Sequence, residues 1–242
     1  MRILVISDIH ANLTALEAVL NASDDYDAVW CLGDLVGYGP DPNECVAKIR
    51  DLPNLLCIIG NHDAAALMQI DADTFNPEAR SALLWTRKEL NESSRAFLSD
   101  LPEKIEAGHV TLAHGSPRHP VWEYLLDTRT ATLNFEFFST PLCFVGHTHL
   151  PVIYSLINDN SLARLNIPEA NTVVSLPVRA IINPGSVGQP RDRDPRAAYA
   201  IYDEESNTWD YRRAEYDIVA VQKRMEAVAL PQRHIDRLTA GW

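Results

Sequence analysis

The first sixty residues alternate between apolar runs and amphipathic segments, and this pattern constrains the fold more than any other feature. Residues 2–7, 28–32 and 55–59 are continuous apolar runs typical of buried parallel strands. Asn12 and Asp41 stand between them as helix N-caps, and Asp41 is followed by a first-turn proline and a capping-box acid. This βαβαβ order predicts a parallel sheet covered by helices.

The remainder of the chain combines helical segments with a second set of strands. Residues 64–100 have helical periodicity, and residues 218–228 predict a closing helix with one apolar side. Strands are predicted at residues 110–113, 142–145, 152–156, 178–182 and 197–202. Because no linker, repeat or low-complexity segment interrupts the pattern, we predict a single α/β domain over residues 1–242.

Charge and composition exclude several classes of function. The chain has 33 acidic and 21 basic residues, a net charge of −12, so it is expected to repel long nucleic acids. Its four cysteines form no CxxC pair, which favours buried thiols over a zinc or disulfide framework. No apolar stretch approaches the roughly 18 residues of a membrane span, and the segment before Asp8 is too short for a signal peptide. We therefore expect a cytoplasmic protein with no membrane partner.

Polar residues that can bind metal follow five of the predicted strands. In chain order they form the motifs Asp8-Ile9-His10, Gly33-Asp34, Gly60-Asn61-His62-Asp63, His114-Gly115 and Gly146-His147-Thr148-His149. Each motif alone is more typical of a turn or a cap. Ligands of open α/β sheets gather at the carboxyl ends of the strands, so the set is expected to converge at one edge. Five of the eight histidines fall within these motifs.

Asp, His and Asn side chains in one cluster predict a dinuclear metal site. Two divalent ions roughly 3.5–4 Å apart can neutralise an anionic phosphate ester and lower the pKa of a bridging water, which then attacks phosphorus directly. Such a pair needs a bridging carboxylate, and Asp34 is the natural candidate. Mixed imidazole and oxygen ligands favour Mn, Fe, Zn or Ni over calcium.

The five motifs in this order resemble those of the calcineurin-like metallophosphoesterase superfamily, over the stretch from Asp8 to His149. The resemblance implies a four-layer α/β/β/α sandwich, with two sheets packed face to face between helices. It also implies two overlapping ligand sets, with Asp34 shared by both. The first metal would be bound by Asp8, His10, Asp34 and His149, and the second by Asp34, Asn61, His114 and His147. His62 would be catalytic, protonating the leaving oxygen or steadying the phosphoryl group.

The segment after Asp34 departs from the pattern of the protein phosphatases and of the symmetrical diadenosine tetraphosphatases. Gly37 and Tyr38 stand where those families have an acid and a phosphate-binding arginine. The chain therefore resembles more closely the small bacterial and archaeal phosphodiesterases of the superfamily. The loss of the acid also leaves the group that orients His62 unidentified, because Asp63 is a candidate for supporting the metal ligands instead.

Four residues are candidates for contact with a small phosphate-ester substrate: Asn61, Tyr38, Arg118 and Arg191. Arg193, in the same loop as Arg191, is a further candidate. For each arginine, a surface salt bridge is the competing interpretation. Tyr38 either lies over the metals or packs against the next helix. His109, His119 and His234 lie outside the motifs and are assigned no function.

The favoured function is a metal-dependent phosphodiesterase, and three alternatives stay open. The first is a phosphomonoesterase or protein phosphatase. The second is a non-catalytic interaction scaffold, as in a retromer subunit of the superfamily whose N-H-D histidine is replaced; the presence of His62 disfavours it. The third is a nuclease for cyclic or short oligonucleotides. A homo-oligomer is compatible with all of these.

Overall fold

The computed structural model describes residues 1–23, 25–158 and 161–242, and its strands form two six-stranded sheets. In chain order the strands are β1 Arg2–Ile6, β2 Ala28–Cys31, β3 Leu55–Cys57, β4 Lys104–Ala107, β5 Val110–Ala113, β6 Leu142–Phe144, β7 Pro151–Ser155, β8 Arg164–Asn166, β9 Thr172–Ser175, β10 Ala180–Pro184, β11 Ala197–Asp203 and β12 Thr208–Ala214. The helices are α1 Leu13–Ala22, α2 Pro42–Arg50, α3 Asn61–Ala66, α4 Pro77–Glu89, α5 Glu92–Ser99, α6 Thr128–Asn134, α7 Ile218–Ala227 and α8 Gln232–Ala240. Two 3₁₀ turns lie at Ala72–Thr74 and Phe135–Phe137.

Sheet A contains the predicted parallel unit and is extended by strands from the end of the chain. Its order is β3-β2-β1-β11-β12-β9, with β1, β2 and β3 parallel and β11 antiparallel to β1. Sheet B has the order β4-β5-β6-β10-β7-β8, in which β5, β6 and β10 are parallel. The carboxyl ends of the parallel strands in both sheets carry the candidate site.

Alternating side chains of β1 show how the layers are built. Leu4 and Ile6 pack into the cluster formed with the helices that cover sheet A. Ile3 and Val5 point the other way, into the cluster shared with sheet B. On the far side of sheet B, a third cluster packs under α6, with Phe135 among its buried side chains. These layers confirm the predicted α/β/β/α sandwich.

Several elements differ from those predicted. The helical segment 64–100 is divided between α3, α4 and α5, and β4, β8, β9, β12, α6 and α8 were not predicted. Asn12 caps α1 by accepting from the backbone N–H of Ala15, as predicted. Asp41 is the N-cap residue of α2 and a proline begins the helix, as predicted. The predicted capping box is absent, because the Asp41 carboxylate makes no cap hydrogen bond and accepts instead from Arg224 of α7. Long-range charge pairing has replaced the local contact.

Among the described residues, no helix is both long and apolar enough to cross a membrane.

Candidate metal centre

Loops at the ends of five strands bring the predicted ligands together. Hydrogen bonds between backbone atoms join these loops: Asp8 N–H to Gly33 O (3.0 Å), His10 N–H to Asp34 O (3.0 Å) and Gly146 N–H to His114 O (2.8 Å). The loops of sheet A supply Asp8, His10, Asp34 and Asn61, and those of sheet B supply His114, His147 and His149. All seven side chains are buried.

The first ligand group consists of Asp8, His10 and His149, whose ligand atoms lie within 4.8 Å of one another. Nε2 of His149 is 3.4 Å from Oδ1 of Asp8, and Nε2 of His10 is 3.9 Å from the same oxygen. The two Nε2 atoms are only 3.1 Å apart. These are three of the four residues that the family resemblance implies for the first metal; the fourth is Asp34.

The second group consists of Asp34, His114 and His147, again within 4.8 Å. Nε2 of His114 is 3.3 Å from Oδ2 of Asp34 and 3.1 Å from Oδ1 of Asn61. The same Oδ2 lies 3.6 Å from Nε2 of His10 in the first group. Oδ2 of Asp34 therefore lies between the two groups and is buried without a hydrogen-bond partner among the described residues.

The histidine tautomers indicate that a cation belongs in these groups. Nδ1 of His10, His114 and His149 lies 3.2, 2.7 and 2.5 Å from the backbone oxygens of Val36, Leu32 and Gln189. Because a carbonyl oxygen only accepts, each Nδ1 carries a proton, and each ring directs Nε2 inward, where it can bind a cation when it carries no proton of its own. Lone pairs and carboxylates that face one another at these distances repel unless a positive charge lies between them. The donor set therefore fits divalent metal ions with nitrogen and oxygen ligands.

The pKa values of the buried ligands also indicate that a positive charge is favoured between them. Burial alone would lower the pKa of His114, but the Asp34 carboxylate beside it raises that pKa to about 9. Burial would likewise raise the pKa of Asp34, but His114 and His62 hold it well below its ordinary value. Burial raises the pKa of Asp8 to about 7. Without a metal, a proton on His114 is the cation of the site.

Five of the seven ligands have left-handed backbone conformations. Asp8, His10, Asp34, His147 and His149 have φ between 48° and 65°. Non-glycine residues adopt this region rarely, and each instance costs about 1–3 kcal/mol when strained. Such clustering is typical of functional sites, where the surrounding structure holds side chains in directions that relaxed strands would not give.

His62 is oriented by packing. Its ring contacts those of Tyr38, Phe75 and His10, with centroids 4.4, 5.0 and 5.0 Å away. Gly37 lies against the ring so closely that a Cβ added there would be 2.6 Å from Nδ1 of His62. A glycine at this position leaves the room that the imidazole occupies.

Asp63 supports the loops, and its carboxylate binds backbone groups rather than the His62 ring among the described contacts. Its carboxylate accepts from the backbone N–H groups of Val36 (3.0 Å) and Gly60 (3.0 Å). Burial raises the pKa of Asp63 to about 7. The predicted supporting role of Asp63 thus takes the form of fixing the β2 and β3 loops against each other. One ring nitrogen of His62 lies within 4.8 Å of the ligand atoms of His10 and Asp34.

Tyr38, Tyr124 and Arg191 lie together beside the ligands. Tyr38 is buried against His10, with ring centroids 4.6 Å apart, and Tyr124 stacks on His147 at 3.9 Å. Burial raises the pKa of both tyrosines, and the positive charge of the nearby Arg191 guanidinium opposes this shift. Tyr38 thus contacts the ligand His10 and also packs into a buried cluster with side chains of α4, α7 and α8, so it combines features of both interpretations. The sequence carried no signal for Tyr124, which belongs to a loop without a motif.

Arg118 and Arg193 are not brought to the ligand groups. Arg118 forms an ion pair with Glu123, and its guanidinium lies over the ring of Phe137, with 5.8 Å from Cζ to the centroid. Contact with a substrate would require this pair to break. Arg193 is exposed in the loop after Arg191. Of the histidines outside the motifs, His234 packs on Tyr38 with ring centroids 4.4 Å apart.

Residues 1–207 match the calcineurin-like phosphoesterase superfamily domain. The chain belongs to this superfamily. The phosphoesterase is similar to a metallophosphoesterase of known structure from Sphaerobacter thermophilus, with 46% identity, 100% of both chains covered and a TM-score of 0.90. It is also 40% identical to the uncharacterized protein MJ0912 of Methanocaldococcus jannaschii, over 99% of this chain and 98% of that protein.

A more distant structure shares the fold of this phosphoesterase. The hypothetical protein PH1004 from Pyrococcus horikoshii OT3 is 21% identical, with a TM-score of 0.82 over 100% of this chain and 98% of that one. The predicted resemblance to small prokaryotic metallophosphoesterases is therefore confirmed. Family and site together support a hydrolase of phosphate esters whose Asp/His groups can bind metal.

Proposed function

We propose that this phosphoesterase hydrolyses phosphodiesters with two divalent metal ions, which the two ligand groups would hold and to both of which Asp34 would contribute. The observation that carries the proposal is the position of Asp34 Oδ2, 3.6 Å from His10 Nε2 and 3.3 Å from His114 Nε2. These two nitrogens belong to different ligand groups, so a single carboxylate oxygen faces both. An unpaired, buried carboxylate oxygen is costly unless a cation binds it.

Two ions bound there would neutralise phosphoryl charge and supply hydroxide near neutral pH. We propose Mn, Fe, Zn or Ni, in keeping with the mixed imidazole and oxygen donors. Asn61 would complete the second set, because its Oδ1 lies 3.1 Å from His114 Nε2. The substrate is a small phosphate ester in the cytoplasm.

His62 would act on the leaving oxygen. Its Nδ1 faces Gly37, which leaves Nε2 to face an ester oxygen at the ligand groups. Burial lowers the pKa of His62 to about 4, so the neutral ring would act there through its one N–H. Packing by Tyr38 and Phe75 fixes the ring, so little reorientation is needed during the reaction.

The charge around the ligands favours a diester over a monoester. A diester carries one negative charge, whereas a monoester carries up to two and benefits from more cationic side chains. Burial lowers the pKa of His10, His147 and His149, and the positive charge of Arg191 adds to each shift. The Arg191 guanidinium therefore lies close enough to act on the ligand groups. The Arg118 guanidinium is instead paired with the Glu123 carboxylate. With Tyr38 at the position of a phosphate-binding arginine, Arg191 is the candidate for pairing with a phosphoryl oxygen.

The test compares bis-p-nitrophenyl phosphate with p-nitrophenyl phosphate after Mn²⁺ is added to metal-stripped protein. We expect faster hydrolysis of the diester and no hydrolysis without metal. A faster monoester rate would instead identify a phosphatase. Two bound metals with neither ester cleaved would favour the scaffold alternative.

Variants separate the metal ligands from the catalytic histidine. His62→Ala should keep its metal content and lose at least about 100-fold in kcat, the lower end of general acid catalysis. Asp34→Ala should lose metal as well as activity. His109→Ala is the matched control, because His109 pairs with Tyr202 and Glu204 away from the ligands. Full activity in His62→Ala would remove His62 from the reaction.

A further inference from the structure

On the outer face of sheet B, the described residues leave a groove at the β7–β8 edge. Val152 and Tyr154 of β7 lie on this face, in the cluster that packs under α6 together with Leu125. Leu165 of β8 is directly opposite Tyr154 in the antiparallel register and therefore shares its face. These residues line a groove with a cavity volume of about 200 Å³, several times the roughly 30 Å³ that a water molecule occupies in the liquid.

The rim of this groove exposes large apolar side chains. Leu126, Leu165 and Ile167 are 59%, 50% and 65% exposed, while Leu125 and Tyr154 in the floor are buried. Contiguous apolar surface around a concavity marks a binding site more often than isolated exposed residues do. Burial of the rim by an apolar ligand is favourable at about 25 cal/mol per Å² of surface removed from water.

The groove and the metal centre are formed by neighbouring residues of the same loops. Three residues of the groove wall each follow directly, along the chain, a residue of the centre: Leu125 after Tyr124, Leu150 after His149, and Asp192 after Arg191. Neighbouring Cα atoms are about 3.8 Å apart, so three separate chain connections tie the two sites together. The groove therefore adjoins the loops that carry Tyr124, His149 and Arg191.

Charge does not oppose an apolar occupant. Asp192 is the charged residue of the wall, and its carboxylate pairs with the guanidinium of Arg213. The remaining described lining residues are apolar, apart from the Tyr154 hydroxyl, which donates to the backbone oxygen of Leu125 (3.2 Å).

We infer that the groove binds an apolar organic group of the substrate, so that the enzyme selects phosphodiesters with one apolar alkyl or aryl substituent. The inference rests on the proposed phosphodiesterase function and adds the substrate class. Binding of the substituent would hold the ester in place beside the ligand groups while the other ester bond is hydrolysed: a P–O bond to the leaving alcohol breaks, a P–O bond to water oxygen forms, and the proton goes to the leaving oxygen.

The test is a series of p-nitrophenyl alkyl phosphates from methyl to octyl, with p-nitrophenol release measured on the metal-loaded enzyme. Each buried methylene group contributes about 0.8 kcal/mol, so kcat/KM should rise by roughly fourfold per carbon until the groove is filled. Leu165→Asp and Ile167→Asp should flatten this dependence. Val178→Asp is the matched control, because Val178 is 88% exposed and lies outside the groove.

The outcomes distinguish the two proposals. Hydrolysis of the methyl ester with no dependence on chain length would overturn the groove as a substrate site and leave the phosphodiesterase proposal intact. No hydrolysis of any diester would overturn both. A dimer in light scattering that Leu165→Asp converts to monomers would assign the groove to contact between copies of this chain and overturn the inference.

Discussion

Gly37 has a positive φ of 93°, and a side chain there would meet His62. In Gly37→Ala, the new Cβ would lie 2.6 Å from Nδ1 of His62, whereas carbon contacts are optimal at about 3.5–4.0 Å. The imidazole must therefore retreat by about 1 Å. Displacements of this size in a catalytic group cost on the order of 100-fold in rate. We expect kcat to fall by that amount while metal content stays unchanged.

The backbone contributes a separate and smaller effect. A left-handed conformation costs alanine about 1–2 kcal/mol, which lowers the Tm of a chain of this size by about 2–8 °C. Gly108→Ala is the control, because Gly108 also has positive φ (58°) but no atom lies within 4 Å of an added Cβ. It should lose similar stability and keep its kcat.

A double variant tests the cause. If Gly37→Ala acts through His62, adding it to His62→Ala should not reduce kcat further. The reasoning fails if Gly37→Ala keeps its kcat at full metal content, or if the double variant is much slower than His62→Ala. Loss of metal from Gly37→Ala would place the defect in the ligand loops instead. Metal content is measured by mass spectrometry on each variant.

Two further predictions concern stability. Metal at about 1,000 times its Kd should stabilise the fold by about 4 kcal/mol and raise Tm by about 8–16 °C in scanning fluorimetry, and Asp34→Ala should abolish this rise. At Glu123, burial alone would raise the pKa, but hydrogen bonds led by Arg118 hold it at about 2, below the ordinary 4.5. A depressed carboxyl pKa stabilises above pH 4.5 and ceases to do so as pH falls toward 2. The urea midpoint of Glu123→Gln should therefore be lower than wild type at pH 7 and should change less between pH 7 and pH 3.

The strand pattern predicts the parallel sheet and the convergence of the ligands, whereas the four layers were implied by the family resemblance. Asp8, Asp34 and His147 each follow a continuous apolar run, and parallel strands bring such positions to one edge. The strands that were not predicted lack a buried apolar run. β8 is three exposed residues and β9 alternates only partly, so their position depends on pairing with β7 and β12 rather than on local pattern.

The surroundings of the ligands were less predictable. A sequence search for the partner of His62 looks for a carboxylate, but the ring is held by Tyr38 and Phe75, whose approach depends on tertiary packing. Tyr124 reaches His147 from a loop without periodicity. Arg118 follows a ligand motif closely, but a local pair with Glu123 holds its guanidinium.

Each ligand group combines residues from both sheets, and this has a consequence for the order of folding. Asp8 and His149 are 3.4 Å apart in space but separated by most of the first two thirds of the chain. Neither residue completes a ligand group alone, and closing so long a loop comes before any gain from binding. A complete ligand group therefore exists only after the chain has been made through His149 and the two sheets have packed.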